Sequence, residues 1–144
     1  MRRTTTRGAL GTSMLAVVVL AFVALCLPAV ARAESGGTTI ASAPELPIGT
    51  TFVSGVNRHE FWRVTLNAGD KLTIDYQPLN GGWVELRLYR PDVTDFTLGN
   101  ASPVAYGSTS SRTKFVWTAT GRGSWILKIS SDHGYKLKAI VKHK

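Results

Sequence analysis

Apolar and polar side chains alternate along most of this chain, and strict alternation sends every second side chain to one face of a strand. Trp62, Val64 and Leu66 form one such set, followed by Leu72, Ile74 and Tyr76, and then Val84, Leu86 and Leu88. Phe115, Trp117 and Ala119 form the next, then Trp125, Leu127 and Ile129, and finally Tyr135, Leu137, Ala139 and Val141. The intervening positions are mostly polar: Arg63, Thr65, Thr73, Asp75, Glu85, Arg87, Lys114, Lys128, Lys136 and Lys138. One dry and one wet face is the requirement for an antiparallel sheet packed on a second sheet. No long segment shows the spacing of an amphipathic helix.

Turn residues fall between these runs. Asn67-Ala68-Gly69-Asp70, Asn80-Gly81-Gly82 and Gly121-Arg122-Gly123 each punctuate two strands, and residues 130–134 read as the tip of a hairpin joining the last two. Weaker strands near 50–54 and 103–106 bring the total to about eight. The pattern therefore predicts an all-β fold, a jelly-roll or β-sandwich of about eight antiparallel strands. Residues 91–111 stand apart, rich in Pro, Gly, Ser, Thr and Asn, and read as a long surface loop.

The first 33 residues have a different grammar. Arg2, Arg3 and Arg7 precede an apolar run from Met14 to Leu27, and Ala31-Arg32-Ala33 supplies a small-x-small cleavage pattern before Glu34. The run is shorter than the roughly 20 apolar residues of a membrane span. It predicts a cleavable signal peptide over 1–33, a flexible leader over 34–46 with Thr38–Ile40 at a sheet edge, and a β-sandwich domain over 47–144. The expected location is secreted, extracellular. Cys26, the single cysteine, leaves with the signal, so a mature chain of 111 residues has no disulfide and relies on burial for stability.

Charge refines the picture. Four of the 17 Lys and Arg lie in the signal and none of the nine Asp and Glu do, which leaves a net +4 after cleavage. Residues 34–111 carry five basic and eight acidic side chains, whereas 112–144 carry eight basic and one acidic. The basic character belongs to the C-terminal third.

The order of the strand and turn residues resembles the bacterial pre-peptidase C-terminal (PPC) domain family. The resemblance rests on Leu46-Pro47-Ile48-Gly49, on the run from Glu60 to Ile74 with its Ala68-Gly69-Asp70 turn, and on Glu85-Leu86-Arg87-Leu88-Tyr89-Arg90-Pro91-Asp92. Thr120-Gly121, Gly123-Ser124-Trp125, Leu127, Ile129, Tyr135 and Leu137 complete it. It implies a small jelly-roll module, an accessory role in substrate or surface binding or in secretion, and for some relatives calcium.

Candidate chemistry is sparse. His59, His133 and His143 have no spacing for a zinc site, and there is no G-x-S-x-G elbow, so the chain reads as non-enzymatic with no required cofactor. Asp92 and Asp95 in the long loop are the candidate calcium ligands, with turn formation and solubility as the competing explanation. Trp83, Glu85, Arg87 and Tyr89 on one wet strand face would suit a sugar-binding platform, unless the long loop covers Trp83. Lys128, Lys136, Lys138 and Lys142 should share an outer face across the last hairpin. There they would meet a cell-wall polyanion or, if the last strand is an edge, guard it against pairing between molecules. The expected partners are a carbohydrate, a cell-envelope polymer or a secreted protein such as a protease, engaged as its inhibitor or partner. Nucleic acid and stable membrane insertion are not expected.

Overall fold

The computed structural model describes residues 32–55 and 58–144. The export-signal reading falls outside these residues except for Arg32–Ala33, which form β1. Eight longer strands follow: β2 (Thr51–Ser54), β3 (His59–Leu66), β4 (Lys71–Pro78), β5 (Val84–Tyr89), β6 (Ala105–Thr109), β7 (Thr113–Thr118), β8 (Gly123–Ser131) and β9 (Tyr135–Lys142).

Pairing is nested. β2 lies antiparallel to β9, β3 to β8, β4 to β7 and β5 to β6. Further β4–β9 and β5–β8 pairs join these into two sheets, β1-β2-β9-β4-β7 and β3-β8-β5-β6. The eight long strands thus make a double-sheet roll, and the short β1 adds a parallel edge to β2. Of the connections from β2 onward, only β5 to β6 stays within one sheet.

That topology corrects the expected hairpin at 130–134. β8 ends at Ser131 in one sheet and β9 begins at Tyr135 in the other, so the segment between them is a corner. Gly134 takes a left-handed φ of 84° there, and a Cβ would sit 2.4 Å from the Ser54 carbonyl oxygen. Only glycine fits such a bend. The segment 91–111 is likewise shorter as a loop than its composition suggests. Its second half holds β6, two residues beyond the start of the expected strand.

Between the sheets, Trp62, Val64, Leu66, Leu72, Ile74, Tyr76, Val84, Leu86, Leu88, Phe115, Trp125, Leu127, Ile129, Tyr135, Leu137 and Ala139 form one buried cluster, against which Trp117 and Val141 pack. Every alternating set read from the sequence contributes to it. The ring of Phe52 packs 5.1 Å from that of Trp62 and 6.2 Å from that of Tyr135, and Trp117 meets Trp125 edge-on at 4.5 Å. Such tilted and edge contacts add to the gain from burial alone.

A second cluster lies outside the β3-β8-β5-β6 sheet. Phe61, Ile126 and Tyr89 point outward from three adjacent strands, and Ile40, Ala43 and Val93 cover them. Residues 34–46 therefore pack on the sandwich as a strap. Gly37 bridges to Phe61 and Glu45 to Arg63, and Leu46 enters the main core.

The strap is tied to the interior through one carboxyl group. Glu60 is 3% exposed; its Oε1 accepts the Gly36 N–H at 2.8 Å. Its Oε2 accepts the hydroxyls of Ser54 and Tyr135, each at 2.7 Å, and the Trp62 indole N–H donates to the Tyr135 oxygen at 3.0 Å. Burial, and then the neighbouring Glu60, push the Tyr135 phenol well above its ordinary pKa, so it stays a donor. A buried acceptor serving three donors is costly to delete, because each donor is left without a partner. Glu60→Ala should lower stability by about 3 kcal/mol and Tyr135→Phe by about 1–2 kcal/mol in urea unfolding. A loss below about 1 kcal/mol for Glu60→Ala would contradict this assignment.

Candidate functional site

Two surfaces emerge, one on a loop and one on a sheet. The loop runs over residues 90–104, between β5 and β6. Val93 anchors it in the outer cluster, with Leu98 and Ala101 packed alongside. The Asp95 carboxylate accepts the N–H groups of Ile40, at 2.7 Å, and Ala41, at 3.2 Å, which fastens the loop to the strap. Just beyond, the Thr94 N–H donates to Thr97 Oγ1 at 2.9 Å, and the Thr94 carbonyl accepts the N–H groups of Thr97 and Leu98. A short 3-10 turn over Leu98–Asn100 follows, and the Val104 N–H returns to Leu88 at 2.7 Å.

Phe96 stands in the middle of this braced turn and is 99% exposed. Its neighbours on both sides are held by hydrogen bonds, so the ring is displayed on a backbone that is already ordered. Beside the brace is a groove of about 350 Å³ lined by Ile40, Arg63, Val93, Asp95, Ser124 and Ile126. The Ser124 hydroxyl in its wall is buried and has no protein partner.

The second surface is the outer face of β9, β4 and β7. Its outward side chains include Lys136, Lys138 and Lys142 from β9, Lys71 from β4 and Lys114 from β7. Among these strands' outward positions, Asp75 is the one acid, with Lys138 and Lys114 as its cross-strand neighbours. Arg112, just ahead of β7, clamps it with two bonds, Nε to Oδ1 at 2.9 Å and Nη2 to Oδ2 at 2.7 Å.

The sugar platform does not assemble. Tyr89 is 3% exposed because strand β5 ends under the strap, where the outer cluster absorbs its ring. Trp83 is 42% exposed and its N–H is fixed to Asp132 Oδ1 at 2.8 Å. Between them Glu85 pairs with Arg87 at 2.7 Å, and the Arg87 guanidinium lies over the Tyr106 ring of β6 at 5.8 Å.

The lysine set also changes. Lys128 is on β8 and therefore on the opposite side of the sandwich from Lys136, Lys138 and Lys142, with its ammonium 5.9 Å from the Phe61 ring. The edge-guarding reading fails for β9 as well, since β9 lies between β2 and β4.

Asp95 spends both oxygens on the strap, and Asp92 faces Arg90 at 3.6 Å in the open. Among the described residues no group of three or more His, Cys, Asp or Glu is placed to hold a metal ion. Each histidine has a local contact: His59 lies edge-on to Phe61, His133 beside Asp132, and His143 beside the buried Asp70.

Phe96 was not singled out by alternation, because it lies in no strand. Its signal is a lone aromatic in the polar run Thr94-Asp95-Phe96-Thr97.

No family model and no curated protein matches the chain. Among solved structures it is similar to PliG of Aeromonas hydrophila, a periplasmic lysozyme inhibitor of g-type lysozyme, with a TM-score of 0.50 and 8% identity over 78% of this chain and 99% of that one. The likeness is one of fold. It agrees with the two-sheet architecture above, and no described helix is long and apolar enough to cross a membrane.

The Arg112 clamp makes a specific prediction. Its hydrogen bond and charge hold the Asp75 carboxyl below the ordinary value of 3.8, against the opposing effect of partial burial. A depressed carboxylate contributes stability that is complete above the unfolded value and is lost as pH falls through the folded one. In carbon-detected NMR, Asp75 should titrate below 3.8, and Arg112→Gln should move its midpoint upward. An unchanged midpoint in that variant would remove the clamp from the account.

Proposed function

We propose that this chain is a secreted, non-enzymatic protein-binding module of the inhibitor type, and that it engages its partner through the 90–104 loop. The observation that carries this reading is Phe96, fully exposed on a turn fixed by Asp95 and the Thr94–Thr97 bonds. Interfaces concentrate their energy in a few aromatic or arginine anchors. Ordering such an anchor beforehand removes an entropic cost that binding would otherwise carry. A wall of strap and loop, with its groove, supplies the surface around the anchor.

The fold likeness to a periplasmic inhibitor of g-type lysozyme supports the same choice. The carbohydrate alternative loses its paired aromatics with the burial of Tyr89. The accessory role implied by the resemblance to PPC domains belongs with this reading, as does the export signal over 1–33. Both support the secreted part of the reading.

Isothermal titration against g-type lysozyme, and capture of secreted proteins from the source organism on the immobilised domain, test the proposal. Phe96→Ala should weaken binding of the captured protein by at least about 30-fold. Asp95→Ala should weaken it less, by about 5–10-fold, through loss of loop order. A captured protein that Phe96→Ala retains as well as the native chain does would contradict the loop as the site.

A further inference from the structure

The basic sheet face lies on the other side of the sandwich from the strap, and its chemistry is different. Five lysines and Arg112 surround a single carboxylate. Lys71 and Lys142 are direct cross-strand partners, a pairing of like charges that weakens a sheet. The usual reason for strand lysines, protection of an edge, does not apply to β9 or β4, both of which are flanked on each side. From this we infer that the outer face of β9, β4 and β7 is a docking surface for a linear phosphodiester polymer of the cell-envelope type.

Charge complementarity selects that occupant. Arginine forks suit carboxylates and phosphates alike, and the one arginine of this face is already committed to Asp75. The remaining cations are ammonium groups on flexible stems, which act as point charges toward phosphate. Lys136 and Lys138 stand two residues apart, about 7 Å along the strand, and the row to Lys142 spans about 20 Å. A polymer that repeats a phosphate every few ångströms meets such a row in many registers without needing a shaped pocket. A hollow of about 150 Å³ lies on this face around Asp75, Arg112, Lys136 and Lys138.

The same face argues against two competitors. No aromatic side chain points outward from β9, β4 or β7, so nothing there stacks on the bases of a single-stranded nucleic acid. The exposed apolar residues are Val116 and Ile140, too little to enter a bilayer.

Binding of poly(glycerol phosphate) to the native domain, followed by fluorescence anisotropy, decides the question. Affinity should fall by about a hundredfold between about 50 and 200 mM salt. The triple variant K136Q/K138Q/K142Q, with unchanged melting temperature, should lose a further factor of about 100. Lys128→Gln and Phe96→Ala should bind the polymer like the native chain, which keeps this surface separate from the loop. Native-like binding by the triple variant, equal loss in Lys128→Gln, or no binding at the lower salt would overturn the proposal. So would tighter binding to phosphatidylglycerol vesicles or duplex DNA than to the polymer.

Discussion

Burial of every second side chain between two facing sheets is the constraint on which this structure depends. The described residues include no cysteine to staple them, so the sealed layer of Trp62, Phe52, Leu86, Leu127 and Tyr135 must supply the cohesion. Nested strand pairing makes that layer continuous, because β4 pairs with β9 as well as β7, and β5 with β8 as well as β6, which joins the nested pairs into two sheets. Once the interior is set, the outward residues are set too. The two outer faces then diverge: one is coated by its own N-terminal strap, and the other is left wet and basic.

Much of this was legible in the residues. The inward sets read for β3, β4, β5, β7, β8 and β9 were correct because period-two alternation is a direct consequence of the pleat. Sheet membership was not legible. Gly134 and the residues around it serve a corner between sheets with the same turn chemistry that closes a hairpin, and alternation is blind to which neighbour a strand acquires. Lys128 was thereby grouped with lysines that lie on the opposite face.

The outer cluster escaped for another reason. Phe61, Ile126 and Tyr89 sit beside inward residues Trp62, Trp125 and Leu88, so the apolar doublets blur the alternation. Those doublets were the available signal that something covers this sheet. Residues 34–46 supply the cover with Ile40 and Ala43, a pair too isolated to set a repeating pattern. The same strap, tied inward by Glu60 and outward by Asp95, is what orders the loop that displays Phe96. Core, strap and loop are thus one mechanical series, and the basic sheet face is independent of it.

The separation of the two surfaces rests on β8 and β9 lying in different sheets, and backbone proton contacts in NMR report on that directly. Contacts linking β9 to β4, around Leu72 with Val141 and Ile74 with Ala139, are the predicted result. Contacts linking β9 to β8 as an ordinary hairpin would return Lys128 to the same face as Lys138 and contradict the account.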